Sequence, residues 1–175
     1  LGDVYKRQGI TCSMGATFFA EAHQTPADLL KQADIAMYQV KTSGRNALCF
    51  FDPEMLAAIT TRADLERDLR LALSSEQFRL YYQIQVTHDS QAVGAEALIR
   101  WQHPVRGMVS PAEFIGLAEE TALIVPIGLW VLRTACLQLK SWENRPGRHD
   151  LQLAVNVSAR QFRQADFVEQ VRDVL

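Results

Sequence analysis

The amino-acid sequence predicts an α/β fold whose strands and helices are compatible with a barrel wrapped by helices. Two observations indicate this fold. From residue 78 onward, the hydrophobic periodicity follows the order strand, strand, helix, helix, strand, helix. Each of these three strands has one wholly apolar face and one face with only a few polar groups. We therefore expect the apolar faces to pack outward against the helices, and the polar groups to point toward the interior or mouth of the barrel.

The first third of the chain is predicted to form a smaller α/β segment ahead of the barrel. Residues 1–8 are polar and lack periodicity, and we interpret them as a possible non-native scar. The predicted elements that follow are a strand within 9–19, a helix from Thr25 to Gly44, a short strand at 47–51 and a helix at 55–73. Thr25 can cap the first helix, and Pro26 suits its first turn. The second helix is the natural place for a domain boundary, as a helical connector.

The middle of the chain is predicted to form a hairpin and a helix. Strands at 78–86 and 93–101 are joined by a turn at 88–91. A loop is predicted over 102–108. Ser110-Pro111-Ala112-Glu113 then has the pattern of a capping box with proline in the first turn, so a helix is expected from there to about Thr121.

The last part of the chain is predicted to form a helix, a strand and a final helix. The first of these helices begins at Pro126, with Leu129, Leu132, Cys136, Leu139 and Trp142 on one face. A strand is predicted at 151–158, and a last helix is expected to begin at Ala159 or Phe162.

The strand from Val93 to Trp101 carries two charged side chains among residues that favour burial. The alternation of a strand puts Val93, Ala95, Ala97, Ile99 and Trp101 on one face, and Gly94, Glu96, Leu98 and Arg100 on the other. Glu96 and Arg100 would lie about 13 Å apart along the strand, too far for an ion pair. Either both lie at a solvated sheet edge, or both point into a shared cavity, where a phosphate-bearing ligand with a divalent cation would satisfy them.

Composition excludes some classes of function. The chain has 175 residues and a formal net charge of -2, and no stripe of lysine and arginine, so a nucleic-acid polymer is not an expected partner. Three well-separated cysteines without C-x-x-C spacing indicate buried thiols in a reducing compartment, which favours the cytoplasm. No apolar run reaches the roughly 20 residues of a membrane helix, so any anchor that placed the protein at the cytoplasmic face of a membrane would lie outside this segment.

Four polar side chains are predicted to share one cavity in the barrel: Gln83, Glu96, Arg100 and Asn156. Carboxylate and amide oxygens are hard ligands suited to Mg²⁺ or Mn²⁺, whereas the Cys/His content expected of a structural zinc site is missing. The four histidines fall in predicted loops, and we interpret them as surface residues: His23, His88, His103 and His149.

An ordered series of motifs resembles the first half of an EAL domain, the cyclic di-GMP phosphodiesterase family. The motifs are Tyr82-Gln83, Glu96-Ala97-Leu98-Ile99-Arg100-Trp101, His103-Pro104, Ser110-Pro111-Ala112-Glu113-Phe114-Ile115, Ala118-Glu119 and Asn156-Val157-Ser158. Two positions depart from the family's pattern, since Ile84 stands where proline is usual and Ala122 where glycine is usual. Because an eight-stranded barrel takes around 250 residues, the resemblance implies an incomplete TIM-like (β/α) barrel within this segment.

The upstream part is similar to the C-terminal tail of a GGDEF domain, the diguanylate cyclase family. The similar residues are Ser13-Met14-Gly15, Ala33-Asp34-Ile35-Ala36-Met37-Tyr38, Lys41 and Gly44-Arg45-Asn46. The two resemblances imply a GGDEF remnant at 9–52, a helical connector at 53–75 and the N-terminal part of an EAL domain at 76–175. The whole would be an incomplete barrel preceded by a fragment of a GGDEF α/β domain.

The resemblance also implies roles for particular residues. Glu96 and Asn156 would be metal ligands, and Arg100 would contact a phosphate of cyclic di-GMP. The other residues with implied roles are Gln83 and Leu98, which would help to hold the dinucleotide, and Lys41 and Arg45, which match residues that contact GTP phosphates.

The implied activity is metal-dependent hydrolysis of cyclic di-GMP to linear pGpG by the intact protein, which would act as a homodimer. Further acidic ligands and a lysine of the family would follow Leu175, so we expect residues 1–175 alone to be inactive. Two alternatives stay open from the sequence. One is a receptor that binds cyclic di-GMP without hydrolysing it, and the other is a bifunctional protein whose cyclase half also works.

Overall fold

The structure is a computed structural model that describes residues 11–19, 24–143 and 151–175. The chain divides into two compact units, residues 1–63 and 64–175. Within the described ranges, every helix is too short or too polar to cross a lipid bilayer. Residues 1–8 lie outside the described part, so their interpretation as a scar stays a prediction.

The first unit contains a two-stranded parallel sheet and a helix. Strand β1 (Met14–Ala16) pairs with β2 (Leu48–Phe50), and helix α1 (Pro26–Thr42) connects them. The predicted start of α1 is confirmed. The Asp28 N–H donates to Thr25 Oγ1 at 3.2 Å, and the Thr25 N–H donates to the Asp28 carboxylate at 3.1 Å. Strand β1 is shorter than the predicted strand, of which residues 9 and 10 lie outside the described ranges.

Helix α2 (Pro53–Ala72) matches the helix predicted at 55–73. Asp52 caps its first turn, since its Oδ1 accepts the Glu54 N–H at 2.9 Å. In the second unit, the last turns of α2 contribute Leu65, Leu69 and Ala72 to the hydrophobic core. The leucine spacing that predicted the helix therefore also identified its buried side.

The second unit is built on a mixed sheet with β4 at its centre. Strands β3 (Phe78–Val86) and β4 (Ala92–His103) form the predicted antiparallel hairpin. On the other edge of β4, strand β5 (Gly107–Val109) pairs antiparallel with residues 101–103, and β6 (Gln152–Val155) pairs parallel with residues 94–97. Because β4 and β6 are parallel neighbours joined through helices, this part of the unit is a β-α-β crossover.

The prediction of a loop over 102–108 was wrong. Strand β4 continues to His103, the chain turns, and β5 returns along it. The turn is held by a side chain, because His103 Nδ1 accepts the N–H groups of Val105 at 3.1 Å and Arg106 at 3.0 Å. A hydrophobic period of two cannot detect such a short hairpin.

The apolar face of β4 is buried as predicted at Ala95, Ala97 and Trp101. Val93 is an exception, because it is 45% exposed. Gln85 pairs with Gly94 and Val86 with Ala92, so Val93 is the extra residue of a β-bulge and does not share the alternation. The core around Trp101 is aromatic, with the Phe78 and Phe114 rings 6.1 Å and 5.6 Å from its ring.

Helix α3 (Pro111–Glu120) begins as predicted, with the Ser110 N–H donating to the Glu113 carboxylate at 3.0 Å. Helix α4 (Ile124–Glu143) begins before the predicted Pro126. Its buried stripe consists of Ile124, Ile127, Gly128, Val131 and Ala135, whereas the predicted face is only half-buried. The predicted face was wrong because apolar residues occur on nearly every side of this helix, so periodicity does not single out one stripe.

The predicted strand at 151–158 and the single last helix are both corrected. Strand β6 ends at Val155, because Ser158 turns the chain and caps helix α5 (Ala159–Phe162). The Gln164 N–H then bonds to the Gln161 carbonyl three residues back, which tightens the turn and ends α5. A separate helix, α6 (Phe167–Val174), follows.

The prediction of an α/β fold is confirmed, and the strands and helices of the second unit are consistent with an incomplete TIM-like fold. The three cysteines are free thiols, as predicted. They are not buried as expected, since Cys12 is exposed and Cys49 and Cys136 are half-buried.

Candidate functional site

One face of the β3–β4 hairpin gathers the polar residues that the sequence singled out. Gln83 lies directly opposite Glu96 in the ladder, and Glu96 lies beside Ala154 of β6. Directly opposite residues share a face, with Cβ atoms about 5 Å apart. The hairpin and the parallel neighbour therefore bring Gln83, Glu96 and the end of β6 to one place.

Glu96 and Asn156 are in direct contact. Asn156 follows β6 by one residue, and its Nδ2 donates to Glu96 Oε1 at 2.7 Å. Glu96 is half-buried and Asn156 is exposed, so the pair lies at the rim of the sheet. This bond leaves the amide oxygen of Asn156 and the second carboxylate oxygen of Glu96 able to accept other ligands.

The Glu96–Asn156 pair fits part of a site for a hard divalent cation. Both residues offer oxygen, the donor atom that Mg²⁺ and Mn²⁺ prefer. Across the described ranges, no group of three or more His, Cys, Asp or Glu side chains is placed to hold a metal ion. Glu96 and Asn156 can therefore supply only part of a coordination shell.

Arg100 lies further along β4 on the same face. It is half-buried, its Nη1 donates to the Ile99 carbonyl at 2.8 Å, and its guanidinium lies 5.5 Å from the centre of the Tyr81 ring. Among the described residues, no ion pair joins Arg100 to Glu96. Its remaining N–H groups are suited to an anion.

A cavity of about 270 Å³ is lined by residues of β4, α3, α4 and the segment that follows β6. Leu98, Arg100 and Asn156 line it, together with apolar residues of α3 and α4 such as Ile115 and Val131. Gln83 and Glu96 are not among its lining residues. The structure therefore brings Leu98, Arg100 and Asn156 to this cavity, whereas Gln83 and Glu96 lie outside its lining.

Comparison with known protein families shows to which family the chain belongs. The EAL domain profile matches residues 66–175, and the profile of the diguanylate cyclase GGDEF domain matches residues 3–47. The chain belongs to the EAL domain family. Glu96-Ala97-Leu98, which carries the half-buried carboxylate, is the tripeptide of the family's name.

The EAL domain relatives include proteins of both cyclic di-GMP activities. The chain is 43% identical over 167 residues to MucR of Pseudomonas aeruginosa, a bifunctional diguanylate cyclase/cyclic di-GMP phosphodiesterase, covering 95% of this chain and 24% of that protein. It is 36% identical over 165 residues to the cyclic di-GMP phosphodiesterase PdeR of Escherichia coli, covering 94% of this chain and 25% of that protein. The chain thus spans about a quarter of the length of these relatives.

Solved EAL structures share the fold. The phosphodiesterase PaMucR in complex with cyclic di-GMP superposes with a TM-score of 0.61 and 46% identity, over 64% of this chain and 45% of that one. The EAL enzyme Bd1971, in a form bound to cAMP and cyclic di-GMP, gives a TM-score of 0.62 and 26% identity, over 87% of this chain and 40% of that one.

Two residues on the polar face of the EAL domain were not predicted as site residues. Arg79 lies opposite Arg100, and Tyr81 lies opposite Leu98. Both lie an even number of residues before Gln83 along β3, so the alternation of the strand puts them on the same face. That alternation is the sequence signal that could have identified them. Their proximity to Arg100 depends on the register of the hairpin.

His103 is also corrected, because it was interpreted as a surface residue and is only 6% exposed. Its Nδ1 accepts two backbone N–H groups, so the ring proton lies on Nε2, which is 3.3 Å from the Asp68 carboxylate. Among the other histidines, His88 is a surface residue as predicted, and His23 and His149 lie outside the described ranges.

Lys41 and Arg45 lie at the C-terminal end of α1 in the first unit, and both are exposed. Lys41 is in the last turn of the helix. Arg45 has a φ of 63°, and its N–H bonds to the Val40 carbonyl at 2.9 Å. The residues of the GGDEF match that precede residue 11 lie outside the described part, so nothing that those residues bring near Lys41 and Arg45 is described.

Proposed function

We propose that the intact protein is a cyclic di-GMP phosphodiesterase that hydrolyses one phosphodiester bond of its substrate to give linear pGpG. The observation that carries this proposal is that Glu96, which accepts a hydrogen bond from Asn156, and Arg100 leave the same face of β4. A face that combines ligands for a cation with donors for an anion suits a phosphate ester bound with a metal ion. The named activities of MucR and PdeR support the same assignment.

The residues of this chain have separate tasks in the proposed reaction. Glu96 and Asn156 would hold a divalent cation, Mg²⁺ or Mn²⁺. When bound, such an ion lowers the pKa of a coordinated water and neutralises charge that develops on the phosphate. Arg100 donates hydrogen bonds to phosphate oxygens, and Gln83 and Leu98 hold the dinucleotide beside them.

A second activity, diguanylate cyclase in the same protein, is favoured by the GGDEF match at residues 3–47. Lys41 and Arg45 would then contact GTP phosphates from the end of α1.

The domain boundaries that accompany this proposal are a GGDEF remnant at 9–52, a connector at 53–75 and the EAL part at 76–175. We also propose a homodimer located in the cytoplasm or at the cytoplasmic face of a membrane, where free thiols persist.

The test is an assay of the intact protein with cyclic di-GMP and Mg²⁺ or Mn²⁺, with chromatographic detection of pGpG. Glu96→Ala and Arg100→Ala are each expected to lower kcat/KM by about 100-fold or more, as loss of one charge-stabilising group does in other enzymes. EDTA is expected to abolish turnover. The control is Arg133→Gln, which removes a charge from the exposed side of α4.

The outcomes separate the alternatives. Binding of cyclic di-GMP without hydrolysis by the wild-type protein would establish a receptor in place of an enzyme. If binding and hydrolysis both survive Glu96→Ala and Arg100→Ala, the assignment of the site is wrong. Formation of cyclic di-GMP from GTP, lost in a Lys41→Ala variant, would establish the second activity.

A further inference from the structure

A second arginine faces the one that the family motif contains. Arg79 of β3 pairs directly with Arg100 of β4 in the antiparallel ladder. The two side chains leave the same face of the sheet, with Cβ atoms about 5 Å apart. Two positively charged side chains therefore start from opposite positions of the hairpin, on the face that carries Glu96.

Neither guanidinium has a carboxylate partner among the described residues. Arg79 Nη1 donates to the backbone carbonyls of Glu76 and Phe78, each at 2.7 Å, and Arg100 Nη1 donates to the Ile99 carbonyl at 2.8 Å. These bonds engage one nitrogen of each group and leave most of the N–H donors of both side chains available. Like charges directly opposite on a sheet are destabilising. An anion bound between them would remove that cost.

The Tyr81 ring supports the pair from the same strand. It is half-exposed, and Arg100 lies 5.5 Å from its centre. A guanidinium within about 6 Å of an aromatic ring is attracted by the negative face of that ring. Tyr81 therefore helps to hold the Arg100 side chain in place.

We propose that Arg79 and Arg100 together bind one phosphodiester group of the cyclic dinucleotide, each donating to one of its two non-bridging oxygens. This inference rests on the proposed function and adds Arg79 to it as a binding residue. The phosphodiester carries one negative charge, so two guanidinium groups neutralise it with charge to spare, and charge-assisted bonds of this kind are the strong ones. No covalent bond forms or breaks at Arg79.

The test measures the Kd of cyclic di-GMP for the intact protein in EDTA, where turnover does not consume the ligand. Arg79→Gln removes the charge and is expected to raise Kd by roughly tenfold to 100-fold, as loss of a charge-assisted hydrogen bond does. Arg79→Lys keeps the charge but lacks the planar guanidinium, and its Kd is expected to lie between those of the wild type and Arg79→Gln. Arg133→Gln is the matched control and is expected to leave Kd unchanged.

Two further measurements separate a phosphate contact from other roles. Screening weakens exposed charge contacts, so the ratio of the Kd values of Arg79→Gln and the wild type is expected to shrink between about 50 mM and 500 mM salt. The melting temperature without ligand tests the bonds of Arg79 to the turn before β3. A lowered melting temperature with unchanged Kd in both Arg79 variants would show a purely structural residue and overturn the inference.

The failure of this inference differs from the failure of the proposed function. If the wild-type protein neither binds nor hydrolyses cyclic di-GMP, the proposed function is wrong and this inference falls with it. If the wild type binds and Arg79→Gln binds equally well, only the role of Arg79 is wrong. A Kd ratio that does not change with salt would also count against a phosphate contact.

Discussion

At the scale of single residues, the bond from Asn156 to Glu96 fixes the orientation of the Asn156 amide. An ionised carboxylate only accepts hydrogen bonds, so the amide turns its nitrogen toward Glu96. Because Nδ2 faces Glu96 Oε1 at 2.7 Å, the amide oxygen is the atom left for a cation. The bond therefore leaves one oxygen of each residue for the cation proposed above.

Ala122 is strained in the turn between α3 and α4. Its φ is 65°, a conformation that costs an L-residue other than glycine about 1–2 kcal/mol. Glycine adopts this conformation without strain, but part of the gain in stability is lost because glycine gives the unfolded chain more conformational freedom. We predict that Ala122→Gly raises the free energy of unfolding of the intact protein by about 0.5–1 kcal/mol in denaturant titrations.

The reverse exchange is the control for this prediction. Gly116 lies inside α3 without a positive φ, and an added Cβ would meet nothing within 4 Å. Gly116→Ala is therefore expected to stabilise the protein by roughly 0.5–1 kcal/mol through helix propensity. A destabilising Ala122→Gly beside a stabilising Gly116→Ala would show that the turn at residue 122 is not strained.

Tyr82 links stability to alkaline pH. Burial against water raises the pKa of its phenol above the usual 10, and its half-buried ring lies edge-on to Trp142 at 5.1 Å. A raised folded-state pKa means that this contribution to stability is fully present below pH 10 and is lost as pH rises through the folded-state pKa. We predict that Tyr82→Phe loses less stability than the wild type above about pH 10.

Denaturant titrations at a series of pH values check this prediction. The two proteins are compared first at pH 8, where the phenol is neutral in both states and the difference between them reflects packing alone. Above pH 10 the stability of the wild type is expected to fall more steeply than that of Tyr82→Phe. Parallel curves up to pH 11 would contradict the role of Tyr82.

At the scale of elements, the close contact between α4 and α5 depends on one glycine. A Cβ at Gly128 would lie 1.7 Å from Gln161 Nε2. Gln161 is only 5% exposed, and its Oε1 accepts the Ser158 N–H at 3.2 Å and the Ser158 hydroxyl at 3.1 Å. The absence of a side chain at Gly128 thus leaves room for Gln161, which takes part in the cap of α5. This cap comes directly after the loop that carries Asn156.

We predict that Gly128→Ala destabilises the intact protein by about 1–3 kcal/mol, because it displaces Gln161 and strains the packing. In a Gln161→Ala background the same change is expected to cost much less, since the clashing atoms are gone. Denaturant titrations of the four proteins form a double-mutant cycle. Equal costs in both backgrounds would show that Gln161 is not the obstacle.

At the scale of the whole molecule, the proposed cation site needs more ligands than Glu96 and Asn156 supply. Within the described ranges, Glu96 and Asn156 are the two oxygen donors that meet at the proposed cation site. A hard divalent cation takes six or more ligands, and water cannot replace every protein ligand without loss of affinity. The chain also spans about a quarter of the length of its curated relatives.

We therefore predict that residues 1–175 produced alone do not hydrolyse cyclic di-GMP in the presence of Mg²⁺ or Mn²⁺. The intact protein under the same conditions is the control, and pGpG is the measured product. Metal-dependent hydrolysis by residues 1–175 at a rate near that of the intact protein would contradict the prediction that this segment supplies only part of the metal ligands.

The sequence alone determined the elements whose signals are local. Alternation in β3 and β4, the capping pattern at Thr25 and Ser110, and the order of strands and helices need only neighbouring residues, so periodicity and caps predicted them. The fold class followed from that order. The motif residues also placed Glu96, Arg100 and Asn156 in one family pattern.

Only the tertiary structure decided which residues meet. The hairpin register puts Arg79 opposite Arg100, and the parallel pairing of β4 and β6 brings Asn156 to Glu96. The buried His103 side chain holds a short hairpin where the sequence predicted a loop. The physical reason is that these contacts join residues distant along the chain. Their geometry depends on strand pairing and on packing over three dimensions, neither of which leaves a local period in the sequence.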